Sequence, residues 1–371
     1  MKRWLATADL PLLMLTLLLT LLGLLMIYSA STYVALRAGM PSDAFLIRQA
    51  QAMAIGAGLF FVGLLINPDL LHRYRVPLMV LVIAMLVIVL TPAGKMVNGS
   101  RRWLDFKVQQ VQPSEFAKLT MIIYLAGLAR ERRHAPLGSV LNIPPLAGLM
   151  IALPVVLIAV ETDMGTAMTV ALIALVMLVL GGLSLTQVTG IGAACVALII
   201  AVIASGHGMH RVMAWWNPWN DVGGIGYHNI RAFVAFASGG LLGAGFGGGV
   251  QKLGYLPEPH TDFIYAVWGE ELGLLGTAML AALFLLLFMS IIRVSSQAAD
   301  PYHSLLGYGI AFWIISQALI NMLVVTGTIP TTGIPLPFIS YGGTSLMMLL
   351  FGIGLVCNIA QRTRRSGPHA A

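Results

Sequence analysis

Runs of about 20 predominantly apolar residues recur from one end of this chain to the other, and that is the length a helix needs to cross a bilayer. In lipid every backbone N–H and C=O must be satisfied internally, so runs of this kind fold as helices packed side by side. Accepting interruptions by Gly and Pro, the spans fall near 10–30, 48–66, 77–94, 114–129, 144–161, 164–182, 186–205, 265–292, 304–327 and 337–360. They predict an all-α polytopic membrane protein of about ten transmembrane helices with both termini on one side. It reads as a single integral membrane domain over residues 1–371, with a large loop at about 205–264 before the eighth helix. With 58% of the residues hydrophobic and 9% charged, no separate soluble domain has room. Lys2 and Arg3 ahead of the first run imitate a secretory signal, but that run is too long and more spans follow, so it reads as a retained helix. Cys195 and Cys357 lie inside apolar runs and read as packing residues.

Scarce charge makes its placement informative. Lys and Arg concentrate on the cytoplasmic side of spanning helices. Placing the N-terminus there collects Lys2, Arg3, Arg73, Arg75, Arg130, Arg132, Arg133, Arg293, Arg362, Arg364 and Arg365 inside, with Asp9, Asp69, Glu131 and Asp300 as the acids. One outer loop breaks the pattern. Residues 95–112 carry Lys95, Arg101, Arg102 and Lys107 against Asp105 alone, a donor array suited to phosphate oxygens; pairing with outer carboxylates is the bland alternative.

Pro113, Ser114 and Glu115 make a helix start, and Lys118 falls one turn inside, where it can pair with Glu115 on one helix face. The next outer turn, Glu161-Thr162-Asp163, holds two carboxylates where two helices meet, with Asp163 also placed to cap the second. The long loop carries Trp215, Trp216, Trp219, Tyr227 and Tyr255, residues that favour a membrane interface, so short helices lying on the outer leaflet are expected. Its run Gly243, Gly245, Gly248 spells a dinucleotide fingerprint without the strand such a site requires, and reads as tight turns or a re-entrant segment. His207 and His210 lack further metal ligands nearby. Residues 254–273 set His260, Asp262, Glu270 and Glu271 where the loop runs back into an apolar helix; of the two adjacent glutamates, one is expected to cap backbone and the other to line a cavity. Residues 326–345 alternate Pro330, Pro335 and Pro337 with Gly327, Gly333, Gly342 and Gly343, which forbids continuous helix and frees backbone groups to line a cavity.

Several of these motifs, in order, resemble the SEDS family (shape, elongation, division and sporulation). They are Asn98-Gly99-Ser100-Arg101-Arg102-Trp103, Gln112-Pro113-Ser114-Glu115-Phe116-Ala117-Lys118, Asp163-Met164-Gly165-Thr166-Ala167, LPEPHTDF at 256–263 and PLPFISYGGTS at 335–345. The resemblance covers nearly the whole chain and leans to FtsW-like over RodA-like members through Asn217-Pro218-Trp219 and residues 252–258. His228, Arg231 and Glu161-Thr162 depart from what that family commonly carries. The resemblance implies a glycosyltransferase of the bacterial cytoplasmic membrane that polymerises lipid II at the outer face, for septal wall synthesis. The partners it implies are a class B penicillin-binding protein (a transpeptidase) and other divisome or elongasome membrane proteins; nucleic acid is not among them.

That chemistry needs a carboxylate to take a hydroxyl proton and positive charge for the departing pyrophosphate. The expected base is Asp262, matching the aspartate the family implies as essential. Arg101, Arg102 and Lys118, with Lys107, are assigned to the pyrophosphate; Glu115, Asp163, His260 and Ser340 are taken as further substrate-binding residues. A divalent cation (Mg or Mn) bridging pyrophosphate to Asp262 or Glu115 would meet the same need, although the sequence holds no closed metal site. A lipid II flippase, an elongation-type polymerase and a non-catalytic scaffold are the competing readings.

Overall fold

A computed structural model of the chain describes residues 9–97, 100–105, 110–131, 143–184, 186–193, 209–224 and 226–366. Its elements in order are α1 (Leu10–Arg37), α2 (Ala44–Leu65), α3 (Pro68–Arg73), α4 (Arg75–Leu90), β1 (Lys95–Val97), β2 (Ser100–Asp105), β3 (Gln110–Val111), α5 (Pro113–Glu131), α6 (Pro145–Val160) and α7 (Met164–Leu180). There follow α8 (Met209–Trp216), a 3-10 turn at Pro218–Asp221, α9 (Gly226–Gly239), α10 (Ile264–Ser296), α11 (Pro301–Val325) and α12 (Gly343–Ser366). Nine of the ten expected spans coincide with helices among the described residues; in the seventh, residues 186–193 are helical and the remainder lies outside them, as do Cys195 and His207.

Caps set the helix starts. Asp9 accepts from Leu12 N at 3.2 Å ahead of α1, and Asp300 accepts from Tyr302 N at 2.9 Å ahead of α11, each with Pro in the first turn where its missing N–H costs nothing. The last helix begins at Gly343 rather than near 337, because Pro335, Pro337 and a left-handed Phe338 (φ 63°) hold the preceding segment out of helix.

α11 and α12 are the inner pillars: 72% and 89% of their most apolar stretches are buried, against 17% for α2, which presents a broad apolar face to the outside of the bundle. α12 nonetheless lies hard against α2. Gly63 backs onto the Phe351 carbonyl and Gly354 onto the Phe60 carbonyl, so each helix gives up side chains where the other's backbone passes. At the end of this seam Asn358 Nδ2 donates to the carbonyls of Gly63, Leu64 and Ile66 at 3.2, 2.8 and 2.6 Å, capping α2 from another helix.

Two departures from the sequence reading matter. The basic 95–112 stretch is not a plain loop: β1, β2 and β3 form a small antiparallel sheet with Met96 opposite Arg101 and Leu104 opposite Val111, the β-branched and aromatic residues there favouring a pleat over helix. And neither Glu270 nor Glu271 lines the cavity. α10 breaks at Gly273 (φ 67°, ψ −166°), and the loop at 240–249 docks into the break, with Ala244 N on Glu270 O at 2.9 Å and Gly245 N on Glu271 O at 3.0 Å. The Glu270 carboxylate then accepts from Val250 N and Gln251 N at 2.8 and 3.1 Å, while Glu271 accepts from Gly247 N at 3.0 Å, Ser29 Oγ at 2.6 Å and Lys252 Nζ. Both charges are consumed in holding a glycine-rich loop whose backbone donors have no strand or helix to satisfy them.

The aromatic loop forms α8 and α9 as expected. Trp215 Nε1 donates to Gly327 O at 2.8 Å, pinning α8 to the end of α11, while Trp216 and Trp219 stay 81% and 63% exposed.

Candidate active site

The bundle has two chemically different ends. At one, Arg293 and Arg364 meet Asp9, Arg130 bridges Asp69 and Asp300, and Arg75 pairs with Glu131. At the other a cavity of about 1040 Å³ opens. Its wall is assembled from the starts of α2, α5 and α12, the three-stranded sheet, the turn before α7, the loop before α10 and the broken segment after α11.

Asp262 lines this cavity from the loop before α10, with Glu258 and His260 beside it. No side-chain donor reaches its carboxylate among the described residues. Burial, reinforced by the like charges of Glu258 and Asp163 and opposed by Arg102, pushes its carboxyl up to about 7. It therefore sits between the acid and base forms near neutrality, the poise that proton transfer needs. Gly333 faces it, so close that a Cβ there would stand 3.5 Å from Asp262 Oδ2. His260 lies 4.6 Å from the Phe45 ring and 5.6 Å from the Tyr341 ring, and burial holds its imidazole below the usual range. It is therefore a neutral wall group. Ser340 is buried behind the wall, donating to Thr261 O at 2.7 Å and accepting from Leu336 N at 2.8 Å, so it braces the Asp262 loop instead of facing the cavity.

The expected cations separate. Arg102 lines the cavity and is aimed by the turn before α7: Nη2 donates to Thr162 O at 2.7 Å, Nε to Glu161 O at 3.4 Å, and Asp163 Oδ1 lies 3.9 Å away. Arg101, its neighbour on β2, is not among the lining residues, and the β1–β2 register shifts at this point, with Met96 opposite Arg101 and Lys95 opposite Trp103. Lys118 is 1% exposed behind Glu115, with Nζ 2.6 Å from Glu115 Oε1 and 3.0 Å from Gln317 Oε1. Glu115 itself reaches the wall, and its Oε2 is buried without a partner. Lys107 lies outside the described residues. Asp163 caps α7 through Thr166 N at 3.2 Å and accepts from Gln112 Nε2 at 3.1 Å. Beneath this turn Glu161 is 2% exposed with both oxygens unpartnered, and burial, with Asp163 adding to it and Arg102 opposing, pushes it up to about 8.

Sequence reasoning missed Arg48, which lines the cavity and makes no ion pair among the described residues. Its signal was available: it is the one charge in the apolar run Ala44–Leu65. Trp103, Gln112 and Tyr341 also line the wall, and only their motifs had been noted.

The wall carboxylates do not form a metal cage. Among the described residues, the one group of three such side chains with ligand atoms within 4.8 Å is Asp69, Asp300 and His303, at the opposite end, where Arg130 already sits between the two aspartates. Among the described residues no closed three-ligand site surrounds Asp262, and the carboxylates of Asp262 and Glu115, the pair that could hold a pyrophosphate-bridging cation, line the same cavity.

Comparison with known proteins follows the same line. A family model described as a cell cycle protein, FtsW/RodA/SpoVE, matches residues 10–365. The chain is 36% identical over 359 residues to the probable peptidoglycan glycosyltransferase FtsW of Geobacter sulfurreducens, covering 96% of each. It is 36% identical to the stage V sporulation protein E of Bacillus subtilis, covering 96% of this chain and 98% of that one. A solved structure described as structural coordination of polymerization and crosslinking by a peptidoglycan synthase complex superposes with a TM-score of 0.81 at 27% identity, over 97% of this chain and 99% of that one.

Proposed function

From the premise that this chain belongs to the FtsW/RodA/SpoVE family of cell cycle proteins, we propose that it is a peptidoglycan glycosyltransferase that polymerises lipid II in the cavity around Asp262. The observation that carries the site assignment is a carboxylate held near neutrality on the wall of a large polar cavity, with two cations, Arg48 and Arg102, on the same wall.

In the reaction, the acceptor sugar hydroxyl attacks the anomeric carbon of the donor. A carbon–oxygen bond forms, the bond to the lipid pyrophosphate breaks, and the hydroxyl proton passes to the Asp262 carboxylate. Negative charge collects on the leaving pyrophosphate, where Arg102 and Arg48 offset it. Arg102 is held by two carbonyls, so it is already oriented before charge develops. Glu115 and Asp163 remain as acceptors for substrate hydroxyls and amides, and Lys118 works through Glu115.

The paired basic end of the bundle supports a cytoplasmic placement of both termini, with the cavity at the outer face. The whole chain acts as one integral membrane domain, and the partner is a class B penicillin-binding protein. The likeness to a structure from a complex coupling polymerization to crosslinking supports that pairing, and the FtsW-like relatives support a division role. A flippase would need charge along a path through the bilayer, whereas the wall charges gather at one end. The test is polymerisation of lipid II by purified protein. Wild type is expected to make glycan polymer and Asp262→Asn to make none while keeping its melting temperature; normal polymer from that variant would sink the assignment.

A further inference from the structure

The backbone that carries Asp262 is gripped at three successive carbonyls. His260 O accepts from Tyr341 N at 2.8 Å, Thr261 O from Ser340 Oγ at 2.7 Å, and Asp262 O from Asn321 Nδ2 at 2.8 Å. Asn321 comes from α11, not from the loop or its neighbour segment. The same Nδ2 donates to Ile334 O at 2.8 Å, beside the Gly333 that faces the Asp262 carboxylate. A primary amide can hold two carbonyls on one nitrogen, which no hydroxyl or aliphatic group can do.

One turn earlier on α11, Gln317 repeats the arrangement. Its Nε2 donates to Pro335 O at 3.0 Å, and its Oε1 accepts from Lys118 Nζ at 3.0 Å and Trp313 Nε1 at 2.9 Å. Lys118 in turn holds Glu115. A polar chain therefore runs inside the bundle from Glu115 through Lys118 and Gln317 to the 334–335 backbone, then through Asn321 to Asp262. Nothing about an inner membrane helix requires two buried amides there, since apolar residues would pack at lower cost. Asn321 is 1% exposed and its Oδ1 has no partner, so the position keeps a desolvation cost that the Nδ2 contacts must justify.

We propose that Asn321, seconded by Gln317, is a positioning residue for Asp262: the two amides on α11 fix where Asp262 stands relative to the Glu115–Lys118 pair across the cavity. The inference rests on the reading of Asp262 as the base. The charged and titratable groups sharing its cavity are Glu258 and His260 from its own loop, Lys95 from β1, Arg102 and Asp105 from β2, Asp163 from the turn before α7, Glu115 from α5, Arg48 from α2, His228 from α9 and Tyr341 from the segment after α11.

The test is steady-state lipid II polymerisation by the full chain in detergent across pH. Asn321→Leu keeps volume and removes the donor. Its kcat is expected to fall about 10²-fold, the scale of a 1 Å misplacement, with KM within about twofold. The acid limb of its profile should move to lower pH as the freed loop carries the carboxylate towards water. Ser340→Ala, which frees Thr261 O on the Asp262 loop and Leu336 N behind it, should move the limb the same way by less, and it stands in if Asn321→Leu does not accumulate. A purely structural role would lower the melting temperature and leave the limb in place, and an unmoved limb in the variants that fold overturns the positioning role. An active Asp262→Asn would instead overturn the base assignment, so the two failures are distinguishable.

Discussion

Glu258 offers a direct handle on how the wall tunes Asp262. It sits in left-handed backbone (φ 48°), lines the cavity, accepts from Thr261 Oγ1 at 3.1 Å, and is the leading like charge holding the Asp262 carboxyl up to about 7. A base works ionised, so a raised pKa means activity is lost as pH falls through about 7. Glu258→Gln removes the charge and keeps the acceptor oxygen. Burial is the larger cause and stays, so the carboxyl should drop by roughly one unit instead of returning to the ordinary range. At pH 6 the ionised fraction then rises from roughly 10% to roughly half, and polymerisation relative to the alkaline plateau rises about fivefold. Initial rates on lipid II between about pH 5 and 9, each variant normalised to its own plateau, measure this. Arg102→Ala should push the limb the opposite way, because its charge opposes the shift. A Glu258→Gln limb that stays put, or moves up, refutes the electrostatic account of the site.

Two further outcomes follow from the same wall and from the loop behind it. Arg102→Ala is expected to cut kcat/KM on lipid II by about 10²-fold while Arg101→Ala stays within about twofold, because only Arg102 reaches the cavity; equal losses in the kinetic assay would count against the pyrophosphate role. Lys252→Met leaves Glu271 buried and uncompensated and should lower stability by about 3–5 kcal/mol, whereas Lys252→Met combined with Glu271→Leu should lose less; thermal melts in detergent separate the two, and a double variant worse than the single removes the ion-pair explanation.

The spans were legible because lipid imposes one rule on every residue of a segment, and the irregular 326–345 stretch because Pro and Gly act through local backbone geometry. Asp262 was legible as scarce charge at a helix entrance. What the chain did not display were directions. Arg101 and Arg102 look alike until the fold puts only Arg102 on the cavity wall, and Lys118 looks like a phosphate ligand until α11 supplies Gln317 as its second partner. Of Glu270 and Glu271 one reads as a backbone cap and the other as a cavity residue, but the break at Gly273 presents both to the backbone of a distant glycine loop. Ser340 stands out only through its motif, where it reads as a substrate ligand, and Asn321 carries no signal at all, since a buried hydroxyl or amide acquires meaning only from the carbonyl it meets, 79 and 59 residues away.

The cap that Asn358 places on α2 also imposes an order on biosynthesis. The carbonyl of Ile66 waits for a donor made 292 residues later, an interval of roughly 15–60 s at ribosomal speeds of 5–20 residues per second. Until then the Ile66 carbonyl and the glycine seam of α2 lack the partners that α12 brings. The cap and the closest helix seam of the bundle therefore form only after α12 has been made.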